Sequence, residues 1–444
     1  MIECNDIQVP LEPRLKARYR KLLESHMRVS HSTAPGSSAM PGGGVTAQAC
    51  IQAASRFYNN SQVLLSDLAE PLLDAGRKAI EEECQDFGLV IHDCSSLTYQ
   101  RHTSKEDRRI LKHRRHVGYE LQSALLVSDR TGQPLAPLVQ DLGSREGMHS
   151  TRCSQVLPTF SPQDGMDQRI QYLASLALSK PLVHLADREH DSVWHYRRQV
   201  ARRDRFLVRA KANRRVLWRG MSCRVEEVAQ ALELEGALDY CRTIEYHGRL
   251  ANQFVGETSV VLDRSAKPSK ALGGKRRALP GDPLVLRLVI SEIRSAEGLL
   301  LARWMLLSNV EASVPAERLA LWYYWRWQVE CFYKLIKSAG HHLEDWEQES
   351  APAIARRLLV ASMACVLVWL LARDPTPEAQ TLRTFLVRLS GRQMKHGRAW
   401  TMPALLEGMW VFLAMVNARD QLPQEEWDQL LAKMTALRPR SKPT

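Results

Sequence analysis

Short apolar runs separated by polar and turn-forming residues dominate residues 86–217. Runs of this length, rich in Val, Leu and Ile, are typical of strands buried in a sheet. The predicted strands cover residues 87–92, 118–128, 134–140, 182–186 and 206–210, and the predicted helices cover residues 163–179 and 191–202. This order predicts an α/β fold with a mixed central sheet.

The pattern changes at residues 218–308, where strand-like segments follow one another with no long helical pattern after residue 235. The clearest predicted strands are residues 258–262, 284–293 and 300–307, and a basic loop with two glycines is predicted at residues 265–277. We interpret residues 218–308 as a β-strand insertion. The α/β domain would then consist of residues 86–217 and 309–373.

Helical patterns occupy both ends of the chain. In residues 1–85 they cover residues 11–27, 46–58 and 66–83, with a Pro- and Gly-rich linker at residues 30–44. A second helical cluster covers residues 402–433. The apolar run at residues 358–372 is short for a membrane span and is typical of a buried helix. We expect a helical N-terminal region (1–85) whose basic helices contact DNA, with a solvated helical face as the alternative, and a helical C-terminal region (374–444).

The composition favours an intracellular protein with a polyanionic partner. The 444 residues carry 61 Lys and Arg against 49 Asp and Glu, a net charge of +12, and such an excess favours nucleic acid. The nine cysteines are scattered and form no Cys-x-x-Cys pair, which indicates neither a disulfide framework nor a zinc knuckle. No signal pattern opens the chain. The basic run at residues 101–116 is interpreted as a loop that faces DNA, with a mobile, solvated loop as the alternative.

One predicted helix, residues 323–337, has an unusual polar face. At about 100° per residue, Tyr323, Arg326, Glu330 and Lys337 fall within a sector roughly 60° wide. We call these four residues the helix stripe. A carboxylate among cations suits a surface that holds a polyanion around a metal ion; the alternative is an ordinary solvated face with ion pairs.

Asp93 and Asp187 each follow a predicted buried strand, where open α/β sheets place ligand sites. A single aspartate there is more often a turn or helix cap. If the two strands are neighbours, however, the carboxylates repel each other and need a cation. Their oxygens suit Mg²⁺, with Mn²⁺ as a substitute. Glu330 is the candidate third ligand of a site for two ions about 4 Å apart, which could cleave phosphodiesters.

These motifs resemble those of the bacterial DDE transposases of the fourth insertion-sequence family. Asp93 lies in Ile-His-Asp-Cys-Ser-Ser-Leu-Thr-Tyr, and Asp187 in His-Leu-Ala-Asp-Arg-Glu-His-Asp. The helix stripe has the spacing Tyr-x2-Arg-x3-Glu-x6-Lys. The resemblance extends from Ser-Arg-Phe-Tyr-Asn-Asn at residues 55–60 to about residue 373. It implies a role in dimerisation for the C-terminal region (374–444), although this tail has no motif that aligns.

The resemblance implies an RNase H-like catalytic core, a mixed five-stranded sheet with helices, interrupted by a β-rich insertion. It also implies Mg²⁺-dependent nicking of transposon ends, a DNA hairpin intermediate and strand transfer, with Asp93, Asp187 and Glu330 as metal ligands and catalytic residues. The implied DNA-binding residues are Tyr323, Arg326 and Lys337 at phosphates, Trp304 stacked on a flipped base, and Arg209 and Lys211. For Trp304 the alternative is a core tryptophan, and for the last two it is solvated charge.

The sequence therefore predicts a transposase that acts as a homodimer on double-stranded DNA in the bacterial cytoplasm. Its substrates would be the inverted repeats at the transposon ends and the target DNA. Two alternatives stay open. One is a captured transposase that binds DNA without cutting it, against which the three intact carboxylates argue. The other is an RNase H-like structure-selective nuclease without strand transfer.

Overall fold

The computed structural model describes residues 7–28, 44–111, 115–266, 278–395, 397–420 and 422–436. The chain forms two compact units. The sheet unit is Ala69–Tyr333, and the helical unit combines Met1–Leu68 with Lys334–Thr444. The boundaries fall inside the two helices α3 (Leu65–Glu83) and α8 (Gln328–Lys337).

The strands of the sheet unit belong to one sheet. They are β1 (Gly88–Thr98), β2 (Arg109–Ile110), β3 (Val117–Ser128), β4 (Pro134–Gly143), β5 (Met148–Ser150), β6 (Leu182–Ala186), β7 (Arg205–Arg209), β8 (Arg215–Trp218), β9 (Met221–Arg224), β10 (Asp239–Tyr246), β11 (Arg249–Leu262), β12 (Leu284–Arg294) and β13 (Leu300–Ser308). The helices of this unit are α4 (Pro162–Ser175), α5 (Val193–Ala201), α6 (Val225–Leu234) and α7 (Ala316–Trp325).

The first part of the sheet has the strand order β5-β4-β3-β1-β6-β7 and contains both antiparallel and parallel pairs. β3 pairs antiparallel with β1 and β4, whereas β1, β6 and β7 are parallel to one another. All ten residues of β4 are buried, as are four of the five residues of β6. Burial on both faces explains why these strands read as apolar runs rather than as alternating patterns. The mixed α/β class predicted from the sequence is confirmed.

The strands between α5 and α7 extend the same sheet. β13 pairs antiparallel with β7, and the order continues through β12, β11, β8 and β9, with β10 beside β11. One hydrophobic cluster includes Phe206 of β7, Leu288 of β12 and Val228 of α6. The strand-rich segment therefore shares a core with the strands before it.

The helical unit contains α1 (Pro13–Arg28), α2 (Gly44–Asn59), α9 (Ala351–Arg373), α10 (Pro377–Leu389), α11 (Met402–Asp420) and α12 (Gln424–Ala436). α9 packs against α1, α2, α10 and α11. Within it, the buried Arg356 donates to the carbonyl oxygens of Val63 (2.7 Å) and Tyr58 (2.8 Å). Among the described helices, only α9 is long and apolar enough to cross a membrane, and 94% of its most apolar window is buried within the protein. Such burial is typical of a core helix.

Two local predictions are wrong. The helix expected at residues 323–337 is interrupted at Arg326 and Trp327, where the Arg326 and Trp327 amides donate three residues back, to Tyr323 and Tyr324. Such i→i−3 bonds tighten the chain into a turn between α7 and α8. The strand expected to end before Asp93 instead continues to Thr98, because β3 pairs with its whole length.

Candidate active site

Asp93 and Asp187 lie side by side where the parallel pairing of β1 and β6 ends. The last pair in register is Ile91 with Leu185, and each aspartate follows two residues later. Because side chains alternate along a strand, each aspartate continues the face of that last pair. β6 ends at Ala186, whereas β1 continues beside β3 alone. The side chains are 21% and 33% exposed, so a substrate can reach them.

Arg326 connects Asp93 to the third predicted carboxylate. Its Nη1 donates to Oδ2 of Asp93 (3.1 Å) and its Nη2 to Oε1 of Glu330 (2.7 Å). Arg326 lies in the turn between α7 and α8, four residues before Glu330 in the sequence. Two carboxylates from distant parts of the sequence thus share one partly buried cation. We call Asp93, Asp187 and Glu330 the paired-aspartate site.

The two aspartates differ electrostatically. Burial raises the pKa of Asp93, and the charges of Asp187 and Glu330 raise it further, against the opposing effects of Arg326 and the Cys94 amide. Burial also disfavours the charged form of Asp187, but His190, the Glu189 amide and the charge of Arg326 together outweigh it and lower its pKa. The effect of Asp187 and Glu330 on the pKa of Asp93 indicates that both carboxylates lie close enough to repel it.

An aromatic pair lies beside the arginine. The rings of Tyr323 and Trp304 meet edge to face with centroids 5.3 Å apart, and Arg326 lies 5.9 Å from the Tyr323 ring. Tyr323 is buried, and its burial raises its pKa against the charges of Arg326 and Arg209. Trp304 lies within β13, half-buried, and packs beside a small cluster that includes Ile293.

The other predicted DNA-binding residues lie in different places. Arg209 ends β7 near Tyr323. Lys211 is exposed and lines a cleft of about 590 Å³ with Arg188 and Glu189, just after Asp187 in the sequence. Lys337 belongs to the helical unit, where its Nζ lies 3.4 Å from Oε1 of Glu344.

Two site residues were not predicted from the sequence. The hydroxyl of Tyr333 donates to the backbone oxygen of Asp93 (2.8 Å), and its position three residues after Glu330 on a helix could have indicated a shared face. The Nδ1 of His190 lies 3.2 Å from Oδ1 of Asp187. A histidine three residues after a strand-ending aspartate was the available signal for this contact.

A second group of potential metal ligands was also missed. One ligand atom each from Asp107, Glu146 and His149 lie within 4.8 Å of one another. We call this group the edge cluster, because His149 lies in the edge strand β5. Asp107 accepts a short hydrogen bond from the Tyr119 hydroxyl, and His149 Nε2 lies 3.2 Å from the Ser144 hydroxyl. Its members come from two loops and a short strand, which carry no periodic signal.

The basic run at residues 101–116 is only partly described, since residues 112–114 lie outside the described residues. Lys105 is buried, with its ammonium group 5.0 Å from the Tyr99 ring. Arg108 donates to the carbonyl oxygens of Lys105 (2.6 Å) and Tyr99 (2.7 Å). These two cations hold the loop together, and the buried Lys105 does not reach the surface. The interpretation of the run as a loop that faces DNA stays a prediction.

Compared with models of known protein families, the chain matches none.

Proposed function

We propose that the protein is a DNA transposase with an RNase H-like core. It binds the ends of an insertion sequence, cleaves them by metal-dependent hydrolysis and transesterification through a DNA hairpin, and joins the 3′ ends to target DNA. The observation that carries this proposal is the paired-aspartate site, in which Asp93 and Asp187 each lie two residues beyond the last parallel pair of β1 and β6, and Arg326 joins Asp93 to Glu330.

The strand arrangement supports the proposed core. An RNase H-like sheet needs antiparallel strands on one side of a central strand and parallel strands on the other. β4 and β3 lie on one side of β1, and β6 and β7 lie on the other, in those directions. In the sequence, strands β8 to β13 lie between Asp187 and Glu330, where the β-rich insertion was predicted. Fold alone does not establish activity, which depends on the residues of the site.

The donor set fits Mg²⁺ or Mn²⁺. It consists of carboxylate oxygens, the ligands that these hard cations prefer. Among the described residues, Oδ2 of Asp187 and Oε2 of Glu330 accept no hydrogen bond, so each keeps an oxygen for a metal ion. Bound metal ions would activate water or a 3′-hydroxyl and stabilise the leaving oxygen.

The surrounding residues supply DNA contacts. Arg326 and Arg209 would hold phosphates near the scissile bond, and Lys211 would hold the backbone along its cleft. Trp304, beside Tyr323, would stack on a base displaced from the helix, a contact worth about 1–3 kcal/mol. Lys337 would bind phosphate from the helical unit, and two copies of the chain would pair the two ends.

The test uses the DNA that flanks the gene. A labelled duplex carrying a flanking inverted repeat is incubated with the protein, Mg²⁺ and target plasmid, and the products are resolved on a denaturing gel. We expect nicked, hairpin and joined products in that order. Double-strand cutting without hairpin or joining would indicate a structure-selective nuclease instead. Binding without cutting would indicate a captured transposase, and either result contradicts the proposal.

A further inference from the structure

His190 is a buried histidine next to the paired-aspartate site. It ends a 3₁₀ turn, Arg188–His190, which Asp187 caps. Its ring is only 6% exposed, and its Nε2 has no hydrogen-bond partner among the described residues. Its Nδ1 faces Oδ1 of Asp187 at 3.2 Å. The ring therefore has one polar contact, and that contact is with the second aspartate.

The hydrogen bonds divide the two oxygens of Asp187 into different roles. Oδ1 accepts from the Glu189 amide (2.9 Å) and from Nδ1 of His190 (3.2 Å). Oδ2 accepts from none of the described residues. One oxygen is thus held by two donors from the same turn, which fixes the plane of the carboxylate and leaves the other oxygen unengaged.

Asp93 is held by a different kind of donor. The guanidinium of Arg326 donates to Oδ2 of Asp93, and the backbone amide of the next residue, Cys94, donates to Oδ1 of Asp93. In the described chain, His190 is the only side chain that donates to Asp187. Because a carboxylate oxygen can only accept, Nδ1 of His190 is the donor in its contact with Asp187.

We propose that His190 is a positioning residue, which holds Asp187 through Oδ1 so that Oδ2 serves as the ligand of a divalent cation. This inference rests on the proposed function, because it assumes a metal ion at the paired-aspartate site. A donor that orients a ligand in this way typically contributes tenfold to a hundredfold in metal affinity. His190 itself would touch neither the metal ion nor the DNA.

The test is a titration of the full-length protein with Mn²⁺, in which electron paramagnetic resonance measures the free ion. In His190→Asn, the Asn Nδ2 can take the place of Nδ1 and preserve the bond. In the matched control His190→Gln, the longer side chain carries its amide to the position of Nε2, so the hydrogen bond to Oδ1 of Asp187 is lost. We expect affinity within about threefold of wild type for His190→Asn, and roughly tenfold to a hundredfold weaker binding for His190→Gln.

The outcomes separate the inference from its premise. Asp187→Asn should remove the same Mn²⁺ binding. If it does, yet His190→Gln binds like the wild type, His190 has no positioning role and the metal site stands. If Asp187→Asn binds Mn²⁺ normally, the paired-aspartate site is not the metal site, and both proposals fail. Thermal melting without metal checks folding; equal melting with unequal affinity supports the inference, and affinity that only follows melting overturns it.

Discussion

The paired-aspartate site and the edge cluster both gather potential metal ligands, but the surrounding structure holds them differently. The first draws its carboxylates from β1, from the turn after β6 and from α8, and it places a guanidinium between Asp93 and Glu330. The second draws on loops and the edge strand, and hydroxyl groups of Tyr119 and Ser144 hold two of its members.

This difference shows why proximity alone does not identify a metal site. Hydroxyl donors can satisfy the edge cluster without any cation. The paired-aspartate site keeps its carboxylates close together although they repel, and burial and the neighbouring acids raise the pKa of Asp93. Such a site is stable when a cation is present. Among the described residues, one oxygen of Asp187 and one of Glu330 accept no hydrogen bond, and these oxygens indicate where a metal ion would bind in addition to the cationic Arg326.

The largest expected difference is in DNA cleavage. Asp187→Asn should slow cleavage of the flanking-repeat duplex about a thousandfold or more, because metal-ion stabilisation of the transition state is worth several kcal/mol. Asp107→Asn is the matched control in the edge cluster and should stay within about threefold of wild type. Initial rates at saturating Mg²⁺ measure both. Equal loss in the two variants would remove the distinction between the clusters.

A smaller effect should come from the aromatic pair beside the paired-aspartate site. A hairpin bends the strand sharply, and stacking on Trp304 would offset the cost of displacing a base. Trp304→Ala should leave the first nick nearly normal and slow hairpin formation about tenfold to a hundredfold, for roughly 1.4–3 kcal/mol of lost stacking. A time course on an end-labelled duplex separates the steps. Equal slowing of both steps would instead indicate damage to the sheet.

The smallest effects concern the stability of the metal-free protein. Substitution of the two aspartates should change the free energy of unfolding in opposite directions. The lowered pKa of Asp187 stabilises the folded state at neutral pH, and this contribution is lost as pH falls through the folded pKa. Asp187→Asn should therefore cost about 1 kcal/mol at pH 7. The raised pKa of Asp93 means that its charge destabilises the folded state above that pKa, so Asp93→Asn should stabilise.

Urea unfolding in EDTA at several pH values tests this pair of variants. Both differences from wild type should shrink as pH falls toward about 3. Asp187 is protonated first in the unfolded chain and then in the folded one, whereas Asp93 is protonated in the opposite order. Destabilisation of similar size by both substitutions at pH 7 would contradict the electrostatic contrast between the two positions.

The fold class and much of the paired-aspartate site could be predicted because their signals are local. Buried parallel strands give apolar runs, and the run at residues 182–186 coincides with β6. The strand before Asp93 was expected to end too early, because the continuation of β1 to Thr98 depends on pairing with β3, which no local pattern records. Long-range pairing overrides a polar sequence of this kind.

The contacts that join distant residues could not be predicted. An uninterrupted helix was the natural reading of residues 323–337, yet the chain tightens at Arg326, whose guanidinium lies between Asp93 and Glu330. The edge cluster depends on loop positions of Asp107 and Glu146 that have no sequence periodicity. The His190 contact depends on one 3₁₀ turn, and a turn of this length leaves almost no pattern.

The most direct test of the central claim locates the bound metal ion. Fe²⁺ replaces Mg²⁺ in the full-length protein, and ascorbate with peroxide then generates hydroxyl radicals that cut the polypeptide near the iron. We predict cuts near residues 93, 187 and 330 that excess Mg²⁺ suppresses and that Asp187→Asn abolishes. Cuts confined to the neighbourhood of residues 107 and 146–149, lost in Asp107→Asn but not in Asp187→Asn, would contradict the account.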